Sequence, residues 1–325
     1  MRYLKLLITT LVLAAAGCAP SEPQPAGGEK TRVVATTTMI GDLVRQIAGD
    51  RVELVTLMPP GTDPHSFKPS TGDMGHVARA HLVLYNGLHL EGKMVELLEQ
   101  RLKDRAVAVV RDIPVERILP WAEGEGGAHD PHVWFDPTLW ATAARTVAGE
   151  LARIDPDHAD AHRAAGERVA AALMALHAET RAQLESIPEE RRVLITSHDA
   201  FNYFGRAYGM DVRGLQGIST ESQAGLSNIN AAVDFLVERK IPAIFPESSV
   251  PHATIERVQA DCRARGVEVK IGEELYSDAM GAPGERPGFA VETYEGMFRY
   301  NVAAIVKALN DAARPPSSGP MIDGR

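Results

Sequence analysis

Little cysteine, no surplus of positive charge and no long internal apolar run mark this chain of 325 residues, and each scarcity removes a class of function. There are two cysteines, Cys18 and Cys262. With Cys18 read below as a lipid attachment site, Cys262 stands alone, so a disulfide framework is excluded. Cys262 itself reads as a half-buried helix residue. Lys and Arg number 34 against 43 Asp and Glu, a net charge of −9. That balance argues against nucleic acid as a partner, because neutralising phosphates takes surplus cations. After the first 16 residues no run approaches the roughly 18 apolar residues of a membrane helix. Catalytic signatures are missing too. There is no Gly-x-Ser-x-Gly elbow, no His-Glu-x-x-His pair and no Gly-rich phosphate loop.

What is present starts at the N-terminus. Arg2 and Lys5 precede an apolar stretch from Leu6 to Ala16, too short to span a bilayer and suited to a secretory h-region. It runs into Ala15-Ala16-Gly17-Cys18, which resembles a bacterial lipobox with Ala15 where Leu is usual. Residues 1–17 therefore read as a signal peptide. Cys18 is the expected lipidation site, and residues 18–30, rich in Pro, Gly and Glu, read as a flexible tether. The chain is expected to be exported and either lipid-anchored to the membrane or periplasmic.

Short aliphatic runs then alternate with amphipathic segments. Strands are expected at 32–37, 52–58, 81–85 and 106–110, with helices at 40–48, 70–80 and 93–101 between them. From 157 to 187 there is no Pro and one Gly, Gly166, while Val169, Leu173, Leu176 and Leu184 fall near one helical face. Such a helix would run about 45 Å. The alternation resumes with strands at 193–196, 211–215, 243–245 and 267–271. Helices follow from 200, at 227–239 with Ser227 as N-cap, and at 253–265. The fold class is α/β: two β/α lobes with parallel four-stranded sheets, joined by one long helix. The lobes are expected at 31–155 and 189–312, the helix at 156–188, and a disordered tail at 313–325.

In open parallel α/β sheets, ligands bind beyond the carboxyl ends of the strands. Several metal-capable residues fall there: His65 after the second strand, His198 after the fifth, Glu247 after the seventh and Asp278 after the last. His132 lies in the irregular segment 129-HDPHVWFDP-137. Imidazoles and carboxylates converging from two lobes suit a borderline divalent cation. Glu247 reads first as a partner to a ligating imidazole and His129 as solvent-exposed. His76, His158, His162 and His177 read as surface helix positions, His81 and His89 as strand flanks, His252 as an end-of-helix residue. Within 196-TSHDAFNYFG-205, Ser197 and His198 are too close in sequence to form a catalytic pair by adjacency. Asp199 opens the following helix, and Phe201 and Phe204 belong to its core face.

Several of these segments together resemble a family. Gly61-Thr-Asp-Pro-His65, Asn86-Gly-Leu-His-Leu-Glu91, 129-HDPHVWFDP-137, Thr196-Ser-His198, 214-GLQGISTESQAG-225 and 276-YSDAMG-281 are similar, in order and spacing, to the TroA-like zinc- and manganese-binding receptors of bacterial ABC importers. The resemblance runs from about Thr31 to about Leu309. It implies one Mn2+ or Zn2+ per chain, held in the interlobe cleft by His65, His132, His198 and Asp278. It also implies a monomer that hands its ion to an ABC permease with its ATPase, and no enzyme activity. Zinc members often carry a long His-rich loop near the second ligand. Here that loop is Glu123 to His129 with one His, which leans to manganese, whereas three nitrogens and a carboxylate favour zinc by intrinsic affinity. A metal-dependent hydrolase using His198, a metal-binding adhesin and a chaperone without a permease are the competing readings.

Overall fold

A computed structural model describes residues 30–121 and 128–311. The signal peptide, Cys18, most of the tether, most of the short loop before His129 and the C-terminal tail lie outside the described residues. The described residues from Thr31 onward form one compact unit.

Four β-branched and aliphatic runs build the first sheet. β1 (Thr31–Ala35), β2 (Val52–Thr56), β3 (Leu82–Tyr85) and β4 (Ala106–Ala108) pair in parallel in the order β2-β1-β3-β4. Val33 stands opposite both Leu54 and Leu82, and β3 is buried along its whole length, as a strand covered on both faces must be. Two helices connect these strands. α1 (Thr38–Ala48) is capped by Thr37, whose hydroxyl accepts from the Ile40 N–H, and α2 (Thr71–Arg79) starts with a Ser70/Asp73 capping box. The helix expected at 93–101 is instead a 3₁₀ turn (Gly92–Met94) followed by one π-helical turn (Leu97–Arg101). Met94 and Leu98 still bury their side chains.

The second half repeats the alternation more loosely. β5 (Val193–His198) pairs with β6 (Asp211–Gln216), and β7 (Ala243–Ile244) pairs with β8 (Lys270–Ile271), all in parallel. These are two separate two-stranded ladders linked by a single isolated parallel bridge between Thr196 and Phe245, so the continuous four-stranded sheet expected for this half does not form. β5 extends to His198, so this histidine ends the strand rather than following it. β8 is two residues long, far shorter than the hydrophobic run suggests. The helices of this half are α5 (Asn202–Tyr208), α6 (Leu226–Arg239) and α7 (Ala253–Ala264). Gly225 is the N-cap of α6, so Ser227 is a helical residue and not the cap. His252 sits at the N-cap of α7, and Cys262 in α7 is fully buried.

α3 (Pro137–Ile154) opens with Asp136, whose carboxylate accepts from the Thr138 N–H, and with Pro137 in the first turn. A short link turns the chain into α4 (Ala159–Leu184), 26 residues and about 39 Å long, which joins the lobes. Gly166 lets the two helices touch: a Cβ there would lie 2.4 Å from Ala148 Cβ. The hydrophobic sequence alternation stops at Ile271, yet an 18-residue helix follows, α8 (Tyr294–Asp311). Met297, Phe298, Val302, Ile305 and Leu309 pack it into the main core, shared with Leu173 and Leu176 of α4. His162, expected at the surface, is fully buried, with Nε2 2.8 Å from Asp155 Oδ2. His177 is half-buried against Tyr208.

Candidate metal centre

The loop after β2 carries His65. Gly61 takes the left-handed conformation, φ 73°, and Asp63 Oδ1 accepts from the His65 N–H at 2.9 Å, a local turn that Asp side chains favour. The second Asp63 oxygen accepts from the Ser66 and Thr220 hydroxyls, each at 2.7 Å. Beneath His65 the chain has Gly92, where a Cβ would stand 2.6 Å from the His65 carbonyl oxygen. That glycine ends the Asn86–Glu91 segment, whose buried Glu91 accepts from the Asn86 N–H (2.6 Å), the Thr36 hydroxyl (2.8 Å) and the Gly87 N–H (3.3 Å). Asn86 in turn donates to the Pro131 carbonyl at 3.0 Å. This motif supplies no ligand. It is the shelf that carries the next one.

His132 repeats the turn: Asp130 Oδ1 accepts from the His132 N–H at 2.9 Å and also lies 2.7 Å from its ring Nδ1. Asp130 is held by Asn202 at 3.1 Å and by the Tyr203 hydroxyl, which donates to its carbonyl at 2.8 Å. His198 donates its backbone N–H to Glu247 Oε1 at 2.8 Å, and its ring Nδ1 stands 2.6 Å from Glu247 Oε2. Asp278 lies in a loop clamped from two sides. Asn301 of α8 bonds both the N–H and the carbonyl of Tyr276, and the Met280 N–H donates to the Thr38 hydroxyl of α1 at 2.9 Å.

These four residues meet. One ligand atom from each of His65, His132, His198 and Asp278 lies within 4.8 Å of the others. His132 Nε2 is 3.3 Å from His65 Nε2 and 3.4 Å from His198 Nε2, while Asp278 Oδ1 and Oδ2 lie 3.5 and 3.4 Å from the His132 and His198 Nε2 atoms. A tetrahedral ion bound at 2.0–2.1 Å requires ligand edges of about 3.3–3.4 Å. The donor set suits such an ion, and the edges at His132 are close to that length, with all four ligand atoms within 4.8 Å. His129, by contrast, is half-buried, pairs its backbone with Pro120, and stands outside the group.

The electrostatics divide the imidazoles. Burial works against a charged His132, but Asp130 and Asp278 outweigh it, and the group is pushed up to about 9. At His198 burial is likewise overcome by Asp278 and Glu247, which hold it well above the usual imidazole value. At His65 burial wins, and the group is lowered to about 4. Burial also opposes the charge on Asp278, yet the surrounding imidazoles keep it well below the usual carboxylate range.

Asp130 hydrogen-bonds the His132 ring Nδ1 and Glu247 stands within ion-pair distance of the His198 ring Nδ1, which leaves both Nε2 atoms for an ion. Glu247 was legible as the residue after a strand. Asp130 was not, although its signal, an Asp two residues before a candidate histidine, stands in the sequence. Beside the site a cavity of about 740 Å³ opens between the lobes, with Asp63, Ser197, Thr220, Glu221 and Ser249 among its walls.

Comparisons with known proteins agree with this architecture. The family model described as "Zinc-uptake complex component A periplasmic", ZnuA, matches residues 33–308. The manganese-binding lipoprotein MntA of Bacillus subtilis is 42% identical over 305 residues, 94% of this chain and 97% of its own. The zinc-binding protein TroA of Treponema pallidum is 44% identical over 281 residues, 86% of this chain and 89% of its own. The solved structure of the periplasmic zinc-binding protein TroA from Treponema pallidum superposes with a TM-score of 0.81 at 43% identity, covering 86% of this chain and 99% of that one.

Proposed function

This chain belongs to the ZnuA family of periplasmic zinc-uptake components, and from that premise we propose that it is the extracytoplasmic receptor of an ABC importer for Mn2+ or Zn2+. His65, His132, His198 and Asp278 are the ligands, and Asp130 and Glu247 orient two of the rings. The observation that carries this reading is the convergence of three Nε2 atoms and one carboxylate, all buried, within 4.8 Å of one another. Four protein ligands leave no open position for an activated water, which is what a catalytic site keeps. The chain carries its ion and does not use it. By donor set the site ranks zinc above manganese, so manganese uptake requires that manganese be the ion in supply.

The partners are a permease and its ATPase, the anchor is a lipid on Cys18, and the working form is a monomer. Among the described residues no helix is long and apolar enough to cross a membrane, which accords with a tethered receptor outside the inner membrane. The lobes run 31–155 and 189–312, with 156–188 between them. Elemental analysis of protein purified without added metal, followed by competitive titration of Mn2+ against Zn2+, tests the reading. One ion per chain with sub-micromolar affinity is expected. Affinities of micromolar or weaker for both metals would refute it, as would turnover of an ester or phosphate that disappears in His198→Ala.

A further inference from the structure

Ser249 lies outside the four-ligand group, yet it touches the carboxylate ligand. Its Oγ donates to Asp278 Oδ2 at 3.1 Å and sits 3.0 Å from the Ser277 Oγ. The other oxygen, Asp278 Oδ1, is buried and accepts no hydrogen bond among the described residues. Both oxygens face a ligand nitrogen, Oδ1 at 3.5 Å from His132 Nε2 and Oδ2 at 3.4 Å from His198 Nε2, but only Oδ2 also carries a hydroxyl donor. We propose that Ser249 sets the choice of metal by engaging Oδ2, so that Asp278 meets the ion through Oδ1 and the set stays at four ligand atoms.

The inference rests on the receptor reading above and names the residue that tunes it. Three nitrogens and one oxygen in a tetrahedron are what zinc takes. Manganese favours oxygen ligands and higher coordination, so it gains more from a carboxylate that offers both oxygens. A hydroxyl on Oδ2 draws lone-pair density away from the ion and fixes the carboxylate plane. That weakens two-oxygen binding and leaves one-oxygen binding nearly untouched.

The position of Ser249 supports a tuning role rather than a packing one. It is half-buried on the wall of the interlobe cavity. Its loop is tied by backbone bonds from the Ser248 N–H to the Leu275 carbonyl at 2.9 Å and from the Val250 N–H to the Glu247 carbonyl at 3.3 Å. Removing the hydroxyl leaves those ties in place.

The test compares the parent chain with Ser249→Ala and Ser249→Thr, measuring Zn2+ and Mn2+ affinities by chelator competition and zinc coordination number by X-ray absorption. In Ser249→Ala the zinc-to-manganese affinity ratio falls about tenfold, at the low end of the range for outer hydrogen-bond partners of a metal site, and zinc gains a fifth light-atom ligand. Ser249→Thr keeps the parent ratio and count. A ratio unchanged in Ser249→Ala, whether both affinities fall together or neither moves, overturns the role of Ser249 and leaves the receptor reading standing. Weak binding of both metals by the parent chain overturns the receptor reading itself.

Discussion

Asp63-Pro64-His65 and Asp130-Pro131-His132 are the same tripeptide, and in both the Asp carboxylate accepts from the histidine N–H at 2.9 Å. They part at the second contact. Asp130 also reaches the ring of its own histidine, whereas Asp63 takes hydroxyls from Ser66 and, across the cleft, from Thr220 of the 217–225 segment. One local turn thus serves two ends. At His132 it loads the ring with a carboxylate partner, and at His65 it ties one lobe to the other. The same three letters shape the loop, and the surroundings decide what the acid does.

The comparison is sharpest in its pH dependence. His132, raised to about 9, and His198, raised well above its usual value, carry protons in the metal-free chain at neutral pH. An arriving ion must expel them. Affinity is therefore highest in alkali and falls as pH falls through the neutral range, by about tenfold per unit for each displaced proton. His65, lowered to about 4, adds nothing to this loss until near pH 4. Calorimetry in buffers of different ionisation enthalpy counts the protons; a flat affinity over this range would break the division of the imidazoles.

Asp130→Asn comes next. Loss of the carboxylate from the His132 ring lowers affinity by about 10–100-fold and removes about one proton from those released at pH 7. Asp63→Asn is the matched control. It keeps an oxygen for the turn but weakens the tie to Thr220, so affinity drops by less than about tenfold, below the range for ring partners. Its signature is a faster dissociation rate in stopped-flow chelation, with the proton count unchanged. Equal effects of the two substitutions on proton release would erase the distinction. Smallest at the site is Gly166→Ala, which drives a methyl into Ala148. It destabilises the protein by about 1–3 kcal/mol, a fall of about 2–6 °C in Tm, with metal affinity unmoved.

The β/α order, the long joining helix and the four residues that converge were legible, because each rests on a local pattern or on position after a strand. What escaped was set by distant contacts. Asp130 gains its role only when Asn202 and Tyr203 hold it against a ring. His162 looks like one more polar helix residue until Asp155 closes over it. α8 could have been read from the spacing of Phe298, Val302, Ile305 and Leu309, but the strand–helix rhythm ends before it. The 267–271 run promised a full strand, and the ladder there closes only two residues.

The contact of Gly166 with Ala148 has a last consequence, for communication rather than stability. α3 and α4 touch with no room for a methyl between them, and α8 lies against α4, so the connection between the lobes is a laminated beam and not a pivot. A receptor built on such a beam is expected to report its load less by folding shut than by what a few loops present at the cleft, so that a membrane partner reads fine print rather than an outline.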